Sequence, residues 1–240
     1  MCSGADTGIL IEGGIWSDQN NEGRGRGGAY DQADSMPGSH GVFLLHNVAG
    51  ITVRNVRFRD CSSYAIQLGN AADFLIESIT FDETADGIHI EGPSARGIIR
   101  HVAGKTNDDA VALNAWDWDN SSITFGPITD MVVEDIELRP GYTWSELRLL
   151  PGTKVFPGGA TVDCDIRRCV YRNIRGVHTV KMYDQPNLSK PDQDFADPIG
   201  NMSDLFFSDI VVDGIKKADY YDWSSDGVFD VCANIDGLLI

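Results

Sequence analysis

The sequence predicts an all-β protein folded as a single-stranded parallel β-helix, a solenoid whose successive turns of chain, or coils, stack on one another. Segments that begin at Thr52, Leu75 and Ile98 share a pattern of two apolar, two polar and one apolar residue, and they follow one another at steps of 23 residues. A fixed step of this kind is the signature of a repeat architecture. A second short strand type follows the first, and no helical pattern of about 10–15 residues separates them, which argues against an α/β fold.

The first pattern returns at Val132, Val170 and Phe206, after steps of 34, 38 and 36 residues, so we expect insertions within these coils. The second strand type has apolar residues in alternation. It begins at Ala65, Gly87, Ala110, Glu146 and Thr179. We predict one domain over residues 1–240. Because the last residues look like a further coil without a polar cap, we expect a fragment, or a cap outside this sequence.

One polar column recurs at the same position of the first pattern, and we interpret it as a structural ladder of hydrogen-bonding side chains. Its members are Asn55, Ser78, His101, Asp135, Asn173 and Asp209. Four irregular stretches, 18–40, 120–130, 142–160 and 184–200, interrupt the repeat. Long loops on a repeat scaffold often frame a binding groove.

Composition limits the function. A chain of 240 residues with 42% hydrophobic content can bury a core, and it contains neither a run of about 18 apolar residues nor a visible signal peptide. The net charge of −17 argues against nucleic acid and against an anionic membrane as partners. A neutral ligand fits more easily, and an anionic polymer would need a local basic patch.

The five cysteines are odd in number and form no CxxC pair, so neither a disulfide framework nor a zinc site is indicated. We expect mostly buried thiols, with pairing of Cys164 and Cys169 left open. We predict no cofactor and no metal.

Three carboxylates form the candidate catalytic group. Asp86 and Asp109 are one 23-residue step apart, and Asp108 adjoins the second. Equivalent positions on adjacent parallel strands lie about 4.8 Å apart, so these groups would repel one another and at least one pKa would rise. Glycosidic hydrolysis needs such a division into acid and base. The alternatives are solvated turn aspartates, or an aspartate ladder that holds a cation.

The segments 84–88 and 107–111 resemble the paired NTDG and GDD motifs of polygalacturonase-type enzymes, glycoside hydrolase family 28 of the pectin-lyase-like superfamily. The similarity covers about residues 8–115 and includes a Gly-rich opening strand at 8–16. It implies a right-handed parallel β-helix that hydrolyses a carbohydrate with inversion. It also implies that Asp108 is the general acid and that Asp86 and Asp109 activate water. An extracellular or periplasmic location follows from the resemblance, with a cytoplasmic one left open.

Two motifs of that family are absent. No histidine stands near 144–147, where its GHG motif would fall, and only Lys181 supplies charge where its RIK motif would fall. We therefore predict no particular sugar.

We expect the outward column of the second strand type to bind substrate through Gln67, His89, Arg148 and Lys181. Trp116 and Trp118 directly follow the strand that carries Asp109, and their rings would suit a sugar face or could pack the loop. Two other functions stay open. A calcium-dependent polysaccharide lyase would use the aspartates to hold the cation and Arg or Lys to abstract the proton. A non-catalytic β-helix would bind glycans.

Overall fold

The computed structural model describes residues 6–18, 41–117, 122–139, 146–183, 200–212 and 228–240. These residues form sixteen strands, and none of them is helical, so the prediction of an all-β protein is confirmed. Within the same ranges there is no helix long and apolar enough to cross a membrane.

The strands are named in chain order. They are β1 (Asp6–Thr7), β2 (Leu10–Glu12), β3 (Ile15–Trp16), β4 (Gly41–Ala49), β5 (Thr52–Glu91), β6 (Ser94–Thr106), β7 (Val111–Asn114), β8 (Ile128–Leu138), β9 (Glu146–Leu150), β10 (Gly152–Val155), β11 (Thr161–Cys164), β12 (Ile166–Val177), β13 (Thr179–Tyr183), β14 (Asn201–Val212), β15 (Phe229–Cys232) and β16 (Asn234–Leu239).

Fourteen of these strands form one parallel sheet. Ten of them follow one another in the order β15-β13-β9-β7-β5-β6-β8-β12-β14-β16, and the other four, β1 to β4, pair at its side. The long strand β5 pairs with β2, β3, β4, β6 and β7 along different parts of its length. The two remaining strands, β10 and β11, form an antiparallel hairpin. We expected residues 142–160 to interrupt the repeat, and β10 agrees with this, because Gly152–Val155 pairs with Thr161–Cys164 outside the main sheet.

The strand register confirms the sequence repeat. Leu75 pairs with Ile98, Ile98 with Val132, Val132 with Val170 and Val170 with Phe206. The second strand type is aligned in the same way, from Ile88 through Val111 and Leu147 to Val180. Insertions of different length therefore leave the pairing unchanged.

The core is built from every second residue of these strands. Stacked positions such as Ile76, Ile99, Val133, Tyr171 and Phe207 are buried, and the last two stack their rings with centroids 4.8 Å apart. Parallel strands buried on the inner face need such apolar columns. The thiols of Cys61, Cys164 and Cys169 are free and buried, as predicted for them. Burial raises the pKa of the Cys164 thiol to about 12, which suppresses its reactive thiolate.

The polar column marks a bend of the backbone. All six members, from Asn55 to Asp209, have φ between 52° and 56°. This left-handed region costs least for Gly, Asn and Asp among the residue types. We expected a continuous hydrogen-bond ladder, and the structure links Asn173 to Asp135 and places His101 Nε2 3.4 Å from Asp135 Oδ2. The property that all members share is the backbone conformation.

A second column of left-handed residues alternates in charge. It consists of Asp73, Arg96, Asp130, Arg168 and Asp204. Arg96 Nε lies 2.6 Å from Asp73 Oδ1, and Arg168 Nε lies 2.6 Å from Asp130 Oδ1. Ion pairs thus bridge neighbouring strands on the outer surface. The irregular stretches 19–40 and 184–199 lie outside the described residues, so their role in framing a groove stays a prediction.

Candidate active site

Asp86 lies in β5, and Asp109 lies at the equivalent position of the next coil, two residues before β7. The backbone N–H of Gly87 donates to the carbonyl of Asp109 at 2.8 Å, and Ile88 pairs with Val111 directly beyond. Both aspartates are 0% exposed. The spacing of one sequence period has therefore brought the two residues together, as the sequence predicted, and has buried them.

His89 lies beside both carboxyl groups. Its Nε2 is 3.4 Å from Asp86 Oδ1 and 3.9 Å from Asp109 Oδ2, and its ring stacks on Tyr64 with centroids 3.8 Å apart. On the other side, Asn114 Nδ2 lies 3.0 Å from His89 Nδ1 and also donates to Asp117 Oδ2 at 3.0 Å. The carboxylate of Asp117 fixes the orientation of the amide. Because the amide NH₂ is a donor, Nδ1 of His89 is the acceptor, and the proton of a neutral ring sits on Nε2, facing the aspartates.

Arg148 neutralises part of this negative charge. Its Nε lies 2.9 Å from Asp109 Oδ2, and its Nη2 lies 3.5 Å from Asp117 Oδ2. The strand register aligns His89 with Ala112, Ala112 with Arg148, and Arg148 with Lys181. Three of the four substrate-binding residues expected from the sequence thus form one column along the sheet.

Lys181 is held inside the protein by Glu146. Its Nζ lies 2.8 Å from Glu146 Oε1, with 4% and 7% of the two side chains exposed. Burial raises the pKa of Glu146 to about 7, and Lys181 opposes that rise. Burial also raises the pKa of Asp109 well above its usual value, with Arg148 acting against the rise and Asp108, Glu146 and Asp86 adding to it.

Asp108 differs from the other two aspartates in being only partly buried. Its backbone N–H donates to Ala85 O at 2.7 Å, and its carbonyl accepts from Thr106 Oγ1 at 2.8 Å. Its own carboxylate accepts from the backbone N–H of Asp109 at 3.1 Å. This turn fixes Asp108 at the outer edge of the Asp86 and Asp109 pair, where its carboxyl group is reachable from solvent.

Gln67 is 0% exposed and is bonded within the protein. Its Nε2 donates to Glu91 Oε1 at 2.6 Å, and its Oε1 accepts from the Gly41 N–H. Glu91 Oε2 in turn accepts from the backbone N–H groups of Ile123 and Thr124. Burial raises the pKa of Glu91 to about 8, although these donors lower it. Gln67 and Glu91 thus tie the segment at 122–126 to the sheet.

Trp116 is 8% exposed and belongs to the hydrophobic core. Its ring centroid lies 6.2 Å from that of Phe125, and Lys154 Nζ lies 5.7 Å from it. The structure therefore places Trp116 in loop packing, the second of the two roles expected for it. Trp118 lies outside the described residues.

Four residues at the site were not predicted from the sequence. They are Tyr64, Asn114, Asp117 and Glu146. Strand alternation could have identified Glu146, which shares a face with Arg148 two residues later. The other three are fixed by contacts between strands, and no local pattern marks them.

The ligand atoms of Asp86, His89 and Asp109 all lie within 4.8 Å of one another, close enough for a shared metal ion. A histidine with two carboxylates suits a transition metal better than calcium, which prefers oxygen ligands. Arg148 already places a positive charge on Asp109.

No protein-family model matches the chain, and no curated protein sequence matches it. Its function must therefore be inferred from the geometry of its side chains.

Proposed function

We propose that this protein is a glycoside hydrolase, built on a right-handed parallel β-helix, that cleaves the O-glycosidic bonds of a polysaccharide or oligosaccharide by inverting acid/base catalysis. One observation carries the proposal. Asp86 and Asp109 stack one above the other in the interior, while Asp108 stands beside Asp109 and is partly exposed. Three carboxyl groups in two environments offer the two protonation states that glycosidic hydrolysis requires.

Asp108 is the general acid in this mechanism. It is the one of the three carboxyl groups that is partly exposed, so a glycosidic oxygen can approach it from solvent. It gives its proton to the leaving oxygen as the bond breaks.

Asp86 and Asp109 activate the attacking water. Burial raises the pKa of Asp109, which makes its ionised form a stronger base, and Arg148 at 2.9 Å opposes that rise. His89 Nε2 faces the pair at 3.4 Å from Asp86 Oδ1 and 3.9 Å from Asp109 Oδ2, so a proton on it would favour their ionised forms. Because both carboxyl groups are closed off from solvent, catalysis requires that substrate binding admit a water molecule to them.

The strand register supports the proposed β-helix. Parallel strands that recur at steps of 23 to 38 residues, with inward apolar columns and a left-handed residue at a fixed corner, are expected of stacked coils. Right-handed winding is the rule for parallel crossover connections.

The experiment is a polysaccharide panel assayed for new reducing ends, with anomeric ¹H NMR of the first product. Release of the inverted anomer supports the proposal. Retention would assign one aspartate as a nucleophile, which a close carboxyl separation permits. The absence of new reducing ends on every neutral and acidic polymer would contradict hydrolysis.

A calcium-dependent lyase is the second candidate, and the carboxylates of Asp86 and Asp109 would hold the cation, although the neighbouring His89 suits a transition metal better. Arg148 or Lys181 would then abstract the proton. The two chemistries differ in product, since a lyase creates an unsaturated, ultraviolet-absorbing end and loses activity in a chelator. Product absorbance that grows with added Ca²⁺ would favour the lyase over the hydrolase.

A further inference from the structure

On the outer face of β5 and its neighbours, three guanidinium groups converge on one carboxylate. Arg57 Nη2 lies 2.6 Å from Asp82 Oδ2, Arg59 Nε lies 3.6 Å from the same oxygen, and Arg139 Nη2 lies 3.5 Å from Asp82 Oδ1. Lys105 pairs with Asp82 in the strand register. We call this group the Asp82 patch. Other outward pairs, such as Arg100 with Glu77, join one guanidinium to one carboxylate.

The patch presents more donors than its own carboxylate can accept. Each guanidinium has five N–H donors, and Asp82 offers two oxygens. The side chains of Arg57, Arg59 and Arg139 are 45%, 44% and 60% exposed. In a chain of net charge −17, this local excess of positive charge marks a surface suited to an anion.

An open groove of about 450 Å³ begins at the same arginine. Arg57 lines it together with the polar side chains of Asn55, Ser78, Thr80 and His101. Arg57 and Arg59 flank the buried Phe58, so both arginines point outward from one strand. The groove and the patch therefore form one continuous surface of amide, hydroxyl, imidazole and guanidinium groups.

This surface lies beside the candidate active site. Asp82 precedes Asp86 by four residues, and Lys105 precedes Asp108 by three, on neighbouring strands. At about 3.3 Å per residue of extended strand, the patch lies at most roughly 10–13 Å along the chain from the proposed catalytic aspartates. A polymer held on the outer face could thus extend toward the site.

We propose that the groove and the Asp82 patch form a second glycan-binding surface, which binds the carboxylate groups of an acidic polysaccharide. Arginine suits this partner because its planar fork can pair with a carboxylate through two hydrogen bonds. The patch already holds one carboxylate, that of Asp82, through a single short contact with Arg57. The polar groove receives the sugar hydroxyls next to it. This inference rests on the proposed function for the identity of the partner as a glycan.

The test measures binding of soluble polygalacturonate by affinity gel electrophoresis at low salt. It compares the wild type with the triple variant Arg57→Ser/Arg59→Ser/Arg139→Ser. The matched control, Arg54→Ser/Arg100→Ser/Arg172→Ser, removes the same charge from one-to-one surface pairs. Fully methyl-esterified polymer and a neutral glucan complete the panel, and circular dichroism establishes that each variant is folded.

We expect the wild type and the control to bind polygalacturonate, and the patch variant to bind at least tenfold more weakly. The esterified and neutral polymers should bind weakly to all three proteins. Equal loss in patch and control variants would overturn the proposal, since only net charge would then matter. The proposal would also be overturned if the wild type bound a sulfated polymer but did not bind polygalacturonate.

The outcome separates this surface from the catalytic proposal. In Asp108→Asn, binding to the patch should remain while cleavage falls. If the wild type binds polygalacturonate through the patch but cleaves no polymer, the hydrolase proposal is wrong and the proposal of a second binding surface stands. If the wild type cleaves a polymer but the patch variant binds polygalacturonate as well as the wild type does, the binding-surface proposal is wrong and the hydrolase proposal stands.

Discussion

Arg148 Nε and Asp109 Oδ2 lie 2.9 Å apart at a point where 15% and 1% of their side chains are exposed. A guanidinium so close to a buried carboxyl group stabilises its ionised form, and it acts against the burial that raises the pKa of Asp109. The balance between these two effects sets the pH at which Asp109 can serve as a base.

Arg148→Gln should move the acidic limb of the activity profile to higher pH. Without the guanidinium the pKa of Asp109 rises further, so a smaller fraction is ionised at a given pH and activity falls more at acid than at alkaline pH. The measurement is kcat/KM against pH, with Arg172→Gln as a surface control. A uniform loss at all pH values would assign Arg148 to substrate binding alone.

Asp108→Asn should reduce turnover by roughly 10²–10⁴, the usual contribution of a general acid. The amide keeps the shape of the carboxyl group and removes its proton. The loss should be smaller on an aryl glycoside with a good leaving group, which needs no protonation. Equal losses on both substrates would show that Asp108 is not the acid, and full activity would make the cluster a set of turn aspartates.

Lys181→Met should destabilise the protein by about 3–5 kcal/mol, because it leaves the charge of Glu146 buried without a partner. The pKa of Glu146, already raised to about 7, should rise further. We expect the double variant Lys181→Met/Glu146→Gln to recover much of the lost stability. Urea unfolding measures all three proteins. If the double variant is no more stable than Lys181→Met, the pair is not the cause.

We predicted from the sequence that Lys181 grips the sugar, in which case Lys181→Ala raises KM more than it lowers kcat. This stays a prediction, since Lys181 reaches a substrate only if it leaves Glu146. Unchanged kinetics in a folded variant would assign Lys181 to structure alone.

Glu91 should make the free energy of unfolding fall as the pH rises from about 4.5 to about 8. Its folded pKa is raised to about 8 by burial, so the folded state holds a proton that the unfolded state has lost in this window. Each proton that the folded state holds and the unfolded state has lost lowers the free energy of unfolding by about 1.4 kcal/mol per pH unit. Glu146 and Asp109 act in the same direction.

Glu91→Gln removes one titrating group, so the slope of stability against pH should decrease by about one proton. Chemical denaturation at several pH values between 5 and 8 measures it. Asp130, whose pKa is lowered to about 2, does not titrate in this window and does not interfere. The role of Glu91 would be refuted by the same slope in both proteins.

The strand register could be predicted because every period repeats one apolar pattern, and burial of one face permits only one alignment of each strand. The spacing in the sequence alone therefore predicts that Leu75, Ile98 and Val132 pair with one another on neighbouring strands. The hairpin of β10 and β11 was not, since it obeys no period and pairs only with itself.

The candidate site was predictable only in part, for a related reason. Asp86 and Asp109 come together because they stand one period apart. Asn114 and Tyr64 reach His89 through an amide contact and a ring stack, which depend on side-chain orientation. Burial of Gln67 and Trp116 likewise depends on what lies above the strands, which a single strand pattern does not encode.

The left-handed corner gives this scaffold a way to change its specificity without refolding. One polar residue with a left-handed backbone bends the chain at this corner of each coil, and the strands on either side keep their partners whether the step is 23 or 38 residues long. Genetic insertions can therefore lengthen the segments between strands while the aspartates stay stacked. Evolution could therefore vary the loops between the strands independently of the aspartates that we propose to be catalytic.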